Sequence, residues 1–414
     1  MNESLEETIC MAGPLGGIRV LDLSRILAGP WASQMLADLG AEVIKVERPG
    51  SGDDTRAWGP PYMSSASGEP TSESAYYHSA NRGKLSVCID MTAAEGQRLL
   101  RELASGSDVL IENFKVGGLQ RYGLDFDSLQ AINPRLVYCS ITGFGQDGPS
   151  ASRAGYDFMI QAMGGLMSVT GEGDGPPMKS GVALADVLTG LYAANAIQAA
   201  LMHQRATGQG QHIDMALLDV QVASLANQAM NYLATGVNPE RLGNAHPNIV
   251  PYQAFPTADG HIVLAIGNDG QFERFCELGG RGDLAADDRF GKNSDRVRHR
   301  EMLIPIVVEI MAQRSSAEWL EALHQRGIPC GPIQQLDQVF DDPQVRHRGL
   351  RLDLEHPEAG TVPSVANPIR LSRTPIAYDR APPLLGQHTD EVLSRLVNLD
   401  AQALAQLRAD GVIA

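Results

Sequence analysis

Asp186 opens a run, Asp186 to Arg205, whose apolar spacing predicts a helix, and it follows Gly181-Val182-Ala183-Leu184-Ala185. Two roles suit an aspartate there. The common one is a cap, in which the carboxylate accepts hydrogen bonds from the first free N–H groups of the helix. The other uses the same geometry. A helix N-terminus keeps a carboxylate ionised and aimed, and an ionised carboxylate at the mouth of a pocket is a nucleophile. Residue type and spacing leave both roles open.

A second set of residues is cationic. Arg25, Arg48 and Arg121 follow segments that read as strands, and Lys84 and Arg153 stand in what read as nearby loops. Ligands of open α/β sheets bind beyond the carboxyl ends of the strands. Guanidinium groups there would bind phosphate oxygens as forks or stack on a purine face. Taken alone, each is more commonly an ordinary solvated charge. A third set is glycine-rich: Gly143-Phe144-Gly145-Gln146-Asp147-Gly148-Pro149, and Thr170-Gly171 to Gly175-Pro176-Pro177. Such segments offer backbone N–H groups to an oxyanion or are plain turns. Glu47 ends a strand where a ribose-binding acid would sit. The first loop, however, reads Ser24-Arg25-Ile26-Leu27-Ala28-Gly29-Pro30 and lacks the G-x-G-x-x-G of a dinucleotide site. No zinc spacing, P-loop or G-x-S-x-G elbow is present, so no metal site is expected.

The elements that must hold these residues alternate. Ile18 to Leu23, Val43 to Val46, Asp108 to Ile111 and Leu136 to Ile141 read as strands. Trp31 to Leu39, with Pro30 in its first turn, Ala93 to Ala104 and Phe126 to Ile132 read as helices. This rhythm predicts an α/β fold with a mostly parallel sheet covered by helices. Pro49 to Asn81 reads as a long loop. The helix from Asp186 carries Leu188, Leu191, Tyr192, Ala199 and Met202 on one face, with Asn195 its one polar member. His212 to Leu218 reads as a strand and Gln221 to Thr235 as a helix. Tyr252 to Phe255 and His261 to Ala265 read as a hairpin around Ala258-Asp259-Gly260. Gly270 to Glu277, Arg298 to Met311 and Ser316 to Arg326 read as helices, and about Asn248 to Gln344 as a smaller domain. The tail holds β-like pieces, a loop at Ala381-Pro382-Pro383 and a last helix, Thr389 to Leu396.

With 414 residues, two domains are the natural expectation. A net charge of −16 disfavours nucleic acid or an anionic membrane as partner. It leaves room for a small anionic ligand where a few cations converge. No uninterrupted apolar run reaches spanning length. Met1 to Cys10 is acidic and resembles neither a secretory signal nor a transit peptide. Cys10, Cys88, Cys139, Cys276 and Cys330 are scattered, as in a reducing compartment, so a cytoplasmic location is expected. Cys88 and Cys139 sit in strand-like runs and read as core residues.

The ordered set of segments resembles the class III CoA-transferases, the formyl-CoA transferase/carnitine dehydratase type. The matching pieces include Ile18 to Ser24, Ala28-Gly29-Pro30, Leu36 to Glu47, Gly50-Ser51-Gly52-Asp53, Asn81-Arg82-Gly83-Lys84 and Asp108 to Phe114. They continue through Asn133 to Leu136, Gly143 to Gly145, Thr207 to Gln211, Gly327 to Pro332 and Leu385 to Thr389, nearly the whole chain in family order. The resemblance implies a Rossmann-like large domain built from both chain ends, over 1–225 and 346–414. It places a linker and a smaller α+β domain over 226–345, and it threads two protomers into an interlocked homodimer. It implies Asp186 as the catalytic nucleophile. It implies CoA contacts at Leu27, Ala28, Arg48, Ile89 to Thr92, Asn113, Phe114, Lys115, Arg121 and the stretch from Arg153 through Tyr156 to Asp157. Arg48 would lie near the adenine and Arg121 near the phosphates. No tightly bound cofactor is implied, since the coenzyme A thioester is itself the substrate.

α-Methylacyl-CoA racemases share these motifs but use a histidine in the segment that here reads Gly155-Tyr156-Asp157. Tyrosine is a poor base at neutral pH, which favours transfer over racemisation. Gly267-Asn268-Asp269-Gly270 stands where oxalate enzymes carry a glycine run. Gly243 to Phe255 looks like the branch that pairs succinyl-CoA with dicarboxylates such as glutarate or itaconate, with His246 as a residue of the acyl pocket. A racemase-like isomerase and a non-catalytic acyl-CoA-binding protein remain the rival readings.

Overall fold

The computed structural model describes residues 13–65 and 67–414. The leader reading over Met1 to Cys10, and Cys10 itself, lie outside the described residues. The chain divides into two compact units. One takes the chain up to Gly165, Gly181–Ala226 and Pro343–Ala414, and the other Leu166–Ser180 and Asn227–Asp342.

The larger unit is built on a six-stranded sheet. Its strands are β1 (Arg19–Asp22), β2 (Glu42–Glu47), β3 (Lys84–Cys88), β4 (Val109–Glu112), β5 (Val137–Thr142) and β6 (His212–Ala216). Every neighbouring pair is parallel, in the order β3-β2-β1-β4-β5-β6. This is the doubly wound Rossmann order, which reverses between β1 and β4 and opens a crevice beyond their carboxyl ends.

Side-chain alternation along the strands makes two cores. Val20, Val43, Val109 and Val137 face one side, with helices α1 (Ala28–Asp38) and α4 (Leu184–Thr207). Leu21, Ile44, Leu110 and Tyr138 face the other, with α2 (Ala94–Ser105) and the C-terminal helices α5 (Thr389–Val397) and α6 (Ala401–Ala409). The C-terminal end also pairs with the sheet edge through an Ile89–Ile413 bridge. Cys88 and Cys139 are buried, and burial pushes both thiols up, Cys88 to about 12.

Helix α4 packs through small residues. Ala185, Thr189, Gly190, Ala193, Ala194, Ile197, Ala200 and Leu201 are buried. A Cβ at Gly190 would stand 2.8 Å from the Ala28 carbonyl oxygen and 3.0 Å from Trp31 Cβ. The apolar face noted in the sequence is instead turned outward: Leu191, Tyr192 and Met202 are exposed, Met202 by 74%. The helix has the length and composition to span a bilayer, but half of its most apolar 18-residue stretch is buried within the protein.

Several elements differ from expectation. Pro49 to Asn81 is not one loop. It holds a turn of 3₁₀ helix (Asp54–Ala57), a two-stranded hairpin (Tyr62–Ser64, Pro70–Ser74) and a short helix (Ala75–His78). Its polar composition hid them, because Asp53 and Ser74 act as helix caps. The helix expected over Gln221 to Thr235 is two, Leu217–Ser224 and Ala226–Thr235, broken where Ala226 takes φ 46°. The helix expected over Arg298 to Met311 runs from Arg300 to Met311 and is preceded by a short helix, Asn293–Arg298, that was not expected. Helix α6 follows the one read as last.

The smaller unit carries a three-stranded antiparallel sheet with the expected hairpin, Tyr252–Pro256 and His261–Ala265, plus Cys330–Pro332. Its core includes Phe255, Phe272, Phe275 and Trp319. The segment Leu166–Ser180 joins this unit because Arg241 donates to the carbonyls of Glu172, Gly173 and Gly175.

Candidate active site

The crevice at the β1–β4 reversal is a cavity of about 920 Å³. That is near the upper end of small-molecule pockets, ~300–1,000 Å³. Leu23 and Arg25 to Ala28 after β1, Arg48 after β2, Ile89 to Thr92 after β3, Asn113 to Gly118 after β4 and Thr142 and Gly143 after β5 line it. Arg121, Arg153, Gly155, Tyr156 and Asp186 complete the part that matters here. Every residue named from the resemblance as a CoA contact is therefore on one wall or another, except Asp157. Gly143 and Gly155 let two backbone segments meet: a Cβ at Gly143 would lie 2.5 Å from Gly155 Cα.

The charge of the cavity is locally opposite to that of the chain. Arg48, Lys115, Arg121 and Arg153 are exposed at its walls, and among the described residues none is in an ion pair with a carboxylate. Arg121 lies over the Tyr122 ring at 4.5 Å and Arg153 over Phe144 at 5.0 Å. Arg25 pairs with Asp54 at 2.8 Å and lies over Phe114 at 5.6 Å. Lys84 is the exception to the cationic set. It is not in a loop but in β3, fully buried, bonded to Asp22, Asn81 and the Pro30 carbonyl. Burial, opposed by Asp22 and assisted by Lys45, lowers its ammonium to about 7.

Four carboxylates line the cavity: Glu47, Asp53, Asp90 and Asp186. Glu47 is consumed by the protein. It accepts from Arg56 through both oxygens at 2.8 Å and from Ser86 at 2.6 Å, so it is not a ribose ligand. Asp53 pairs with Lys45 at 2.9 Å, and both are buried. Asp90 accepts from Thr92.

Asp186 differs from all three. Among the described residues its carboxylate accepts no hydrogen bond. It does not cap its helix, because α4 starts at Leu184, two residues earlier than read. Asp157 does that work from outside: its Oδ1 accepts from the Ala185 N–H at 2.9 Å and the Asp186 N–H at 3.3 Å. Asp157 is thus engaged with the helix start and is not among the residues that line the cavity. The expectation that the helix start keeps Asp186 readily ionised is corrected. Burial first, and then the Asp157 charge, raise its carboxyl to about 7.

His246 belongs to the smaller unit. Its Nδ1 accepts from the Asn248 N–H at 3.0 Å, its ring lies 5.3 Å from that of Tyr252, and burial and Arg300 lower its pKa. The glycine-rich segment from Thr170 to Pro177 is in that unit too. Sequence reasoning missed Lys45, Ile26 and the role of Asp53, all cavity residues. Gly50-Ser51-Gly52-Asp53 was legible as a motif, but not as a charge buried under the site.

Residues 15–389 match the CoA-transferase family III. The chain belongs to that family. Among its relatives, it is 55% identical to the "Succinate--glutarate CoA-transferase" of Agrobacterium fabrum over 94% of this chain and 97% of the relative. It is 44% identical to the "Succinyl-CoA:glutarate CoA-transferase" of Homo sapiens, over 97% and 90%. Of solved structures, a CAIB/BAIF family protein from Brucella suis superimposes with a TM-score of 0.82 at 52% identity, covering 93% of this chain and all of the other. This chain is thus a CoA-transferase.

Proposed function

We propose that this CoA-transferase exchanges CoA between succinyl-CoA and a free dicarboxylic acid such as glutarate, with the Asp186 side chain carrying the acyl group and then CoA. The observation that carries the reading is Asp186 itself, unbonded, at the wall of a cation-lined cavity, with its pKa near neutrality. The names of the relatives support the substrate pair.

The carboxylate of Asp186 attacks the thioester carbonyl. The C–S bond breaks, leaving an acyl-aspartyl anhydride and CoA thiolate. The thiolate then attacks the aspartyl carbonyl, the donor acid leaves as carboxylate, and an aspartyl-CoA thioester remains. The acceptor carboxylate attacks this thioester, releasing the thiolate, which then takes the acyl group from the new anhydride and frees Asp186. Each thioester lost is matched by one formed. A carboxylate made basic by burial is a stronger nucleophile than a solvated one. The cationic walls hold the CoA phosphates, so the thiolate stays beside the anhydride between steps.

Asp186→Ala and Asp186→Asn should lower exchange by more than about a thousandfold while CoA still binds. Hydroxylamine should trap the activated aspartyl group on the native chain, read by protein mass. Exchange at the native rate in Asp186→Ala rules the scheme out. Solvent deuterium entering the acyl α-carbon would point to the isomerase instead. Two further parts of the reading are an interlocked homodimer, supported by the exposed Leu191, Tyr192 and Met202 face of α4, and a cytoplasmic location, supported by the free thiols Cys88, Cys139, Cys276 and Cys330. Light scattering and cell fractionation test these.

A further inference from the structure

The turn between β1 and α1 is held in a conformation that its own residue resists. Ile26 has φ 74°, in the left-handed region where a β-branched side chain crowds the backbone. Glycine is the residue that takes this conformation freely. Such strain persists only where the surroundings enforce it, and it gathers at functional sites.

The surroundings here are side chains from three other segments of the same unit. The Ile26 N–H donates to both oxygens of Asp53, at 3.2 Å each. Asn113 brackets the preceding residue: its Oδ1 accepts from the Arg25 N–H at 3.0 Å and its Nδ2 donates to the Arg25 carbonyl at 2.7 Å. Lys45 Nζ donates to the Ser24 carbonyl at 3.0 Å and to Asp53 at 2.9 Å. Asp53 also accepts from the Thr55 N–H and hydroxyl, and its own N–H donates to Glu47 at 3.0 Å. Burial would push the Asp53 carboxyl up, but Lys45 and the Thr55 bonds outweigh it and leave it at about 2. Arg25, Ile26, Leu27 and Ala28, the residues so held, all line the cavity. Helix α1 begins at Ala28 with no side-chain cap, so the turn also sets where its first peptide groups face.

We propose that Asp53 is a positioning residue of the CoA site: paired with Lys45, it forces Ile26 into the left-handed turn and thereby fixes the wall made by Arg25 to Ala28. The proposal rests on the cavity being the CoA site. It does not depend on Asp186 carrying the acyl group.

Asp53→Asn keeps the shape of the side chain and removes the charge that meets Lys45 and the Ile26 N–H. Free CoA binding by calorimetry, kcat and KM for transfer, and circular dichroism are compared with those of the native chain. Losing a charge-assisted hydrogen bond predicts CoA binding weaker by about tenfold or more. KM should rise in step, and kcat should change less than KM. Adding Ile26→Gly should recover about threefold or more of the lost affinity, because glycine adopts the turn without the clamp. A merely structural role for Asp53 predicts no such rescue. Binding within about twofold of native in Asp53→Asn, or a folded double variant no better than the single one, overturns the proposal. Should Asp53→Asn fail to fold, Asn113→Ser loosens the same turn from its other side. Weakened CoA binding rescued by Ile26→Gly then supports the proposal, and absence of rescue overturns it. Calorimetry with free CoA reads the wall alone, so failure of the aspartyl scheme and failure of this clamp are distinguishable.

Discussion

Asp186 is exposed to the cavity yet starved of hydrogen bonds, and this sets its pH behaviour. In the proposed scheme transfer needs the carboxylate, so kcat/KM should rise with pH through about 7, where burial and Asp157 place its carboxyl. In Asp157→Asn the like charge is gone, and the midpoint should move to lower pH in a pH–rate profile. The same shift has a sign for stability. The folded value of about 7 lies above the ordinary 3.8, so the folded chain holds this proton more tightly than the unfolded chain. Stability therefore falls as pH rises between those values, and the full penalty stands above about 7. Asp186→Asn removes the penalty. Denaturant unfolding at pH 8 should show the variant more stable by ~2–4 kcal/mol, with the two chains converging at acid pH. A variant equally or less stable at pH 8 would mean the carboxylate is better solvated than its surroundings indicate. Arg121→Ala should weaken CoA binding by about tenfold and flatten its salt dependence, if this guanidinium meets a phosphate.

At the scale of elements, the cavity is held open by close packing behind it. Helices α1 and α4 touch through Gly190, where any Cβ meets the Ala28 carbonyl and Trp31. Gly190→Ala should therefore cost about 1–3 kcal/mol in denaturant unfolding, and because Ala28 is both contact and cavity wall, CoA affinity should fall with it. An unchanged midpoint would show that the helices slide apart at no cost. Behind the hairpin that replaced the expected loop, Glu73, His78 and His356 gather with their ligand-type atoms within 4.8 Å of one another. The sequence separation of these residues hid the cluster. His356 Nδ1 already accepts from the Glu358 and Ala359 N–H groups, which leaves its proton on Nε2. Arg56 lies 3.5 Å from Glu73. Both features oppose a cation there.

At the scale of the whole molecule, an outward apolar face on a core helix calls for a cover. The proposed interlocked homodimer supplies one. Light scattering should then give twice the mass of one chain, and dilution should not divide it, because threaded rings part only on unfolding. A single-chain mass at any concentration would remove the interlocked state from the reading.

Much of this was legible in the residues. Strand alternation and helix periodicity are local, so β1, β2, β4 and β5 were readable to within a residue or two, as were the cationic loops at their ends. The family segments marked Asp186 and the residues that line the cavity. Other features depend on what meets across long separations. The outward face of α4 looked like a core face because periodicity reports an apolar stripe, not which stripe is buried. Lys84 looked like a loop cation because burial is not written in residue type. The cap on α4 came from Asp157, in another helix, so the ionisation of Asp186 was misjudged from its position alone. The strained turn at Ile26 exists only because Asp53, Asn113 and Lys45 converge on it from three other segments. Composition and spacing determined the parallel strands and the charges, and the family segments pointed to Asp186. Tertiary packing alone decided which charges are buried, which carboxylate is left unbonded, and how the wall beside it is held.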